Sequence, residues 1–200
     1  MTLKSPLAAA ALSFLAAAGA QASSLYSFAG PTAEHASPDS ISASFLAGAG
    51  AGLATFRING YASLDGDNYY KDVFTLSLNG APILSGTWDM GGGGANLTYF
   101  APGGSTVAPH TYGFFAGGYT DISVPLSLVA GSNTLTFAYD SPGGAFAGPQ
   151  GTGDEGWGLE RVLVTGSAGG VPEPATWAMM LLGFSAIGAT LRNRRYATAV

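Results

Sequence analysis

Apolar and polar positions alternate with a period of two through the middle of the chain. In Asp72-Val73-Phe74-Thr75-Leu76-Ser77-Leu78-Asn79, the residues Phe74, Leu76 and Leu78 fall on one side, and Thr75 and Ser77 on the other. That is the period of a strand with one buried face. Asn79-Gly80 then supplies a type I′ hairpin turn, because both residues tolerate positive φ. Ala81 to Ser85 is the return strand, and Pro82 marks it as an edge. Asn133 to Tyr139 repeats the pattern after the turn Ala130-Gly131-Ser132, with Leu135, Phe137 and Tyr139 inward. Residues 53–59, 96–100, 121–128 and 158–165 are further strand candidates, and Val162 and Val164 share a face in the last. No segment between residues 23 and 170 has a helical period. At least seven short strands between turn-rich loops predict an all-β domain, a β-sandwich. No repeat of 20–50 residues is present, which disfavours a solenoid or propeller. Gly91 to Gly94 and the Gly/Pro-rich stretch from Ser141 to Gly156 read as mobile loops, and Gly166 to Gly170 as a linker.

Two stretches break the alternation. The first is N-terminal: Lys4, then an apolar run from Leu7 to Ala18 with Ser13 as its one polar residue, then Ala20-Gln21-Ala22. A positive n-region, a short apolar core and a small-x-small site make a secretory signal peptide, with the mature chain starting at Ser23. Its partners are the secretion machinery and a signal peptidase. The second stretch is C-terminal. From Ala175 to Leu191 there is no charged residue, and the run is apolar on all sides rather than striped. Its seventeen residues give roughly 25 Å of helix, enough for a thin bilayer core. Pro172 and Pro174 stop an upstream extension, Trp177 stands where an interfacial aromatic belongs, and Arg192, Arg194 and Arg195 hold the end in the cytoplasm.

Pro172-Glu173-Pro174-Ala175-Thr176-Trp177-Ala178, an apolar helix and an arginine cluster follow in fixed order at the C-terminus. This stretch resembles the PEP-CTERM sorting domain in its Pro-Glu-Pro-x-x-Trp-Ala form, a tag also called the ice-binding protein C-terminal domain. The resemblance covers residues 171–200. It implies export across the inner membrane, transient anchoring, and processing by an exosortase, a membrane-embedded cysteine transpeptidase that would read Pro172, Glu173 and Pro174. It also implies a Gram-negative host that makes exopolysaccharide and biofilm. The tail from Tyr196 to Val200 departs from the pattern, since arginines often end such proteins. The expected organisation is a signal peptide over 1–22, a sandwich over 23–165, a linker over 166–170, and a tag over 171–200 whose transmembrane helix runs over about 175–191.

Charge sharpens the picture of what lies outside the membrane. Between residues 23 and 170 there are eleven acidic residues against three basic ones, Arg57, Lys71 and Arg161. The whole-chain value of −5 hides this, because four of the seven cationic residues lie in the targeting segments. Such a surface repels nucleic acid and anionic lipid. Cysteine is absent, so packing or metal ions, not disulfides, must stabilise the exported part. Gly is 31 of 200 residues, about twice the usual ~7% share, in keeping with many turns.

Two acidic clusters are the candidate chemistry. Asp65-Gly66-Asp67-Asn68 and Asp72 place three carboxylates and an amide within eight residues, and Asp154-Glu155 forms the second cluster. Hard oxygen ligands around a Gly turn suit Ca²⁺, although the full EF-hand loop is absent. The competing reading is a solvated set of turn residues. Together with Asn79-Gly80 and the Gly-Trp-Gly-Leu-Glu run to Glu160, the clusters resemble paired strands of exported bacterial jelly-roll, lectin-like domains. That resemblance implies that the clusters lie near each other and bind calcium. His35 and His110 are the only histidines, no Gly-x-Ser-x-Gly elbow occurs, and no pair is spaced for zinc. His110 follows Pro109 in a turn-like loop. Tyr61, Tyr69, Tyr70, Trp88, Tyr99, Tyr112, Phe114, Phe115, Tyr119 and Trp157 are core aromatics or a carbohydrate-stacking surface. A flat ice-binding face would need regular Thr arrays, and Thr134 with Thr136 does not make one. The expectation is a non-enzymatic exported protein, structural or adhesive through polysaccharide. The alternatives are a calcium-dependent carbohydrate-binding module and a secreted hydrolase.

Overall fold

The computed structural model describes residues 22–143, 151–168 and 174–197. Among these residues ten strands and one helix follow in order: β1 (Ser23–Phe28), β2 (Asp39–Ala47), β3 (Gly50–Gly60), β4 (Val73–Leu78), β5 (Ala81–Thr87), β6 (Leu97–Phe100), β7 (Thr106–Thr111), β8 (Gly118–Leu128), β9 (Gly131–Asp140), β10 (Trp157–Gly166) and α1 (Pro174–Ala197). Two five-stranded sheets result, β1-β10-β3-β8-β7 and β2-β9-β4-β5-β6, with every pairing antiparallel. Early strands pair with late ones in nested fashion: β1 with β10, β2 with β9, β3 with β8. This is how a long hairpin rolls into a sandwich, so the fold is all-β with jelly-roll-like nesting.

The period of two decides which faces meet. Phe74, Leu76 and Leu78 of β4 are buried beside Leu135, Phe137 and Tyr139 of β9. Ala54, Phe56 and Ile58 of β3 close the core from the other sheet. Phe56 bridges the sheets, with its ring 6.0 Å from Phe74 and 5.0 Å from Phe137, the latter edge-on. Each such side chain, fully removed from water, contributes about 1.5–3 kcal/mol. Val162 and Val164 share the buried face of β10. The β4–β5 turn has Asn79 at φ 53° and Gly80 at φ 81°, the double positive φ that a type I′ turn demands.

Several expectations need correction. β5 is not an edge strand, because β6 covers it; β6 engages only Ser85, Gly86 and Thr87, so Pro82 still lies on an uncovered stretch where its missing N–H is harmless. His110 lies in the edge strand β7, paired with Tyr119, and not in a turn. Pro109 disguises β7, yet an edge strand tolerates it. β1 and β2 also went unanticipated: β2 turns Ile41, Ala43, Phe45 and Ala47 inward, and two alanines blur the apolar signal. Gly91 to Gly94 is pinned, since Asp89 Oδ1 accepts the N–H of Gly91 (3.0 Å) and of Gly93 (2.8 Å). The proposed linker starts too early: Gly166 ends β10, and Ser167 accepts the Gly48 N–H at 2.8 Å.

The helix α1 begins at Pro174, and proline suits a first turn because its absent N–H would be unpaired there anyway. Its apolar side chains from Trp177 to Ile187 are exposed, and Ser185 Oγ donates back to the Leu181 carbonyl at 2.7 Å, satisfying its hydroxyl within the helix. Among the described residues no helix is long and apolar enough to cross a membrane. Residues 1–21, with Ala20 of the cleavage site, and Pro172 and Glu173 of the tag lie outside the described residues, as do 144–150 and 169–170.

Candidate functional site

Five loops converge at one end of the sandwich. The β3–β4 loop (61–72) is tied to the β5–β6 loop by Met90 N–H to Leu64 O (3.0 Å) and Gly66 N–H to Gly93 O (2.8 Å). The β7–β8 loop joins through Phe115 N–H to Gly91 O (2.8 Å) and Gly117 N–H to Ala62 O (3.0 Å). The β9–β10 loop joins through Ser63 N–H to Asp154 O at 2.9 Å, and the β1–β2 loop through Gly153 N–H to Glu34 Oε1 at 2.8 Å. These hydrogen bonds tie the loops to one another.

The floor of this end is acidic. Asp65, Asp72 and Glu155 are buried, and one carboxylate oxygen from each lies within 4.8 Å of the other two. Asp65 N–H donates to Asp72 Oδ2 at 2.7 Å, and Asn68 Nδ2 donates to Asp65 Oδ1 at 2.5 Å. Ser141 is the hub: its Oγ stands 2.6 Å from Asp72 Oδ1, 2.7 Å from Glu155 Oε2 and 2.7 Å from Ser37 Oγ. A hydroxyl donates one hydrogen, so it cannot satisfy both carboxylates when both are ionised. Burial pushes the Asp72 carboxyl up from 3.8 to about 8, against hydrogen bonds from the Asp65 N–H and Ser141 and with help from the Glu155 charge. Burial also raises Glu155 and Asp65, and neighbouring carboxylates add to both.

The two sequence clusters are therefore brought together, though not in full. Asp67 is turned to Lys71, whose Nζ donates to it at 3.0 Å, and stands outside the triad. Asp154 borders the same cleft and accepts the Ser63 hydroxyl at 2.6 Å. The cleft above the triad measures about 410 Å³ and is lined by Asp65, Asp154, Glu155, Tyr70, Phe114 and Phe115 among others. Phe114 is 76% and Phe115 58% exposed, with their rings edge-on at 4.5 Å. Phe115 also sits at φ 55°, a left-handed conformation that costs a bulky side chain energy. Gly92 permits the approach of the loops, because a Cβ there would stand 2.5 Å from the Asp65 carboxylate. Trp88 and Trp157, by contrast, are core residues.

Ser37 and Ser141 escaped the sequence reading. Ser141 follows Tyr139 by two residues and so continues the inward face of β9, which was the available signal. Nothing local distinguishes Ser37.

At the other end of the chain, Pro174, Trp177 and Arg192 lie on α1, the latter two exposed; Arg194 and Arg195 fall on the same helix. Residues 170–195 match the family model of the PEP-CTERM protein-sorting motif. The motif marks the chain for export and for sorting by an exosortase to the cell surface. Neither a curated protein nor a solved structure matches the chain.

Proposed function

Proceeding from the sorting motif, we propose that the sandwich is a non-enzymatic surface or matrix module that attaches the sorted protein to polysaccharide. The helix over residues 175–191 would anchor it transiently in the inner membrane before exosortase processing, after signal peptidase has removed residues 1–22. The observation that carries the glycan reading is the cleft in which exposed Phe114 and Phe115 face Asp65, Asp154 and Glu155. Flat aromatic faces suit the C–H faces of sugar rings, and carboxylates accept hydrogen bonds from sugar hydroxyls. The strained backbone of Phe115 supports the same reading, since strain persists where a side chain is needed in place. The acidic wall favours neutral chains over polyanions.

The test is retention of the full chain, purified in mild detergent, on a panel of polysaccharides. Phe114→Ala is expected to weaken retention about tenfold without unfolding the domain, because the side chain is exposed. Phe115→Gly is expected to weaken retention while stabilising the fold by about 1 kcal/mol, since glycine carries no left-handed penalty. Retention unchanged in both variants would overturn the cleft assignment. Release of reducing ends from the polysaccharide would overturn the non-enzymatic reading and favour a hydrolase.

The tag has its own test. Glu173→Ala is expected to leave export intact but block processing, so that full-length protein accumulates in the membrane fraction. Unchanged release into the medium would sink the role of Pro172-Glu173-Pro174.

A further inference from the structure

We propose that Asp65, Asp72 and Glu155 form the carboxylate set of a binding site for a divalent, oxygen-seeking cation of the calcium class, with Asp65 and Glu155 in the wall of the aromatic-rimmed cleft and Asp72 fully buried. Three carboxylates removed from water at this separation repel one another unless a positive charge stands between them. The sandwich supplies none. Its described basic side chains are engaged elsewhere: Arg57 with Asp121 (2.7 Å), Lys71 with Asp67 (3.0 Å), Arg161 with Glu160 (3.3 Å) and His35 with Asp39 (2.7 Å). His110 packs against Tyr119 and Tyr112.

A second observation is independent of the acids. Tyr139 is 2% exposed, and its hydroxyl has no hydrogen-bond partner. Its side chain leaves β9 on the same face as Ser141, two residues before that hub, and lies between Phe74 and Trp157 at 5.4 Å from each. Burial raises the Tyr139 phenol well above its ordinary value, and the Asp72 charge adds to that rise. An orphaned buried hydroxyl costs about 1–3 kcal/mol unless something polar occupies the space next to it. A hydrated cation on the triad provides that partner through one of its waters.

The donor chemistry selects the cation. All first contacts are oxygens, with no imidazole or thiolate, which disfavours zinc and copper. Opposite ligands on Ca²⁺ at 2.3–2.6 Å are roughly 4.6–5.2 Å apart, and one oxygen from each carboxylate of the triad lies within 4.8 Å of the other two. The three carboxylates supply one such oxygen each. Asp154 and Ser63, which line the same cleft, together with water, can complete a sphere of six to eight. The tie between Asp67 and Lys71 excludes Asp67 from this set.

The experiment is terbium titration of the full chain in detergent, without glycan. Tyr139, two residues from Ser141, and Trp157, two residues from Glu155, are the sensitising rings for a lanthanide bound at the triad. A saturable luminescence that excess calcium displaces is expected. Glu155→Gln and Asp72→Asn are each expected to weaken terbium binding at least tenfold, and Asp67→Asn to leave it unchanged. If Asp72→Asn fails to fold, as judged by its circular dichroism, Glu155→Gln, in the lining of the cleft, carries the test. No saturable signal, or equal affinity in Glu155→Gln, overturns the site. Because no sugar is present, this outcome is separate from the fate of the polysaccharide reading.

Discussion

Raising the pH of the metal-free protein from about 4 to about 8 is expected to lower its melting temperature continuously, and the fall should level off above that range. The cause is Asp72. In the unfolded chain its carboxyl ionises near 3.8, whereas in the folded chain burial holds the proton to about 8. Between those values the folded state binds a proton that the unfolded state has lost, so stability falls as pH rises. Glu155 and Asp65 are displaced in the same direction, and burial is again the leading cause. The groups that face Asp72 are Asp65, Ser141, Glu155 and the Tyr139 phenol, and none supplies a positive charge. Asp39 and Asp121 shift the opposite way, held down by His35 and Arg57, so their stabilisation is lost only below the ordinary carboxylate range. One pKa unit corresponds to about 1.4 kcal/mol, so the whole loss is on the order of a few kcal/mol. Asp72→Asn should flatten most of the slope and raise the melting temperature near pH 8. Melting curves in chelator that do not move with pH would show that Asp72 is not held protonated.

Phe74→Ala is expected to be the most damaging single core truncation of those considered, at about 3–5 kcal/mol. That is a large share of the 5–15 kcal/mol typical of a whole domain. Phe74 is fully buried and meets rings from both sheets: Phe56 at 6.0 Å, Trp88 at 5.9 Å and Tyr139 at 5.4 Å. The cavity would open two residues from Asp72, in the same strand-and-loop unit. Cation binding should therefore weaken along with stability, whereas Leu126→Ala, on β8 in the opposite sheet, should cost stability and leave the cation affinity of the folded fraction unchanged. A denaturant midpoint within error of the parent would contradict the central place of Phe74.

How much of this was legible along the chain varies by element. β4, β8, β9 and β10 alternate strongly and carry large side chains on the buried face, so the period alone finds them. β1, β2 and β7 do not, for separate reasons: β1 has a register break between Ser24 and Tyr26 that interrupts its alternation, β2 buries alanines, and β7 contains Pro109. Their strand state is set by neighbours, since β7 is fixed by its ladder to β8 and β2 by its ladder to β9. The glycine-rich loops misled in the opposite direction. Four glycines in a row suggest mobility, yet Asp89 and the backbone of Leu64 hold Gly91 to Gly93 in place.

Local residue order was enough to determine the strand period, the Asn79-Gly80 turn, the acidic exterior and the sorting motif at residues 170–195, because each is a property of neighbours in the chain. The tertiary structure decided the rest. It separated Asp67, which a short salt bridge to Lys71 keeps apart, from Asp65 and Asp72, although all lie within eight residues. It brought Glu155 to them across more than eighty residues, and it set Ser141 between Asp72 and Glu155, with Ser37 hydrogen-bonded to Ser141. The physical reason is the nested pairing of early strands with late ones. That topology stacks the β1–β2, β3–β4, β5–β6, β7–β8 and β9–β10 loops at one end of the sandwich, and no local pattern records which loops will share an end.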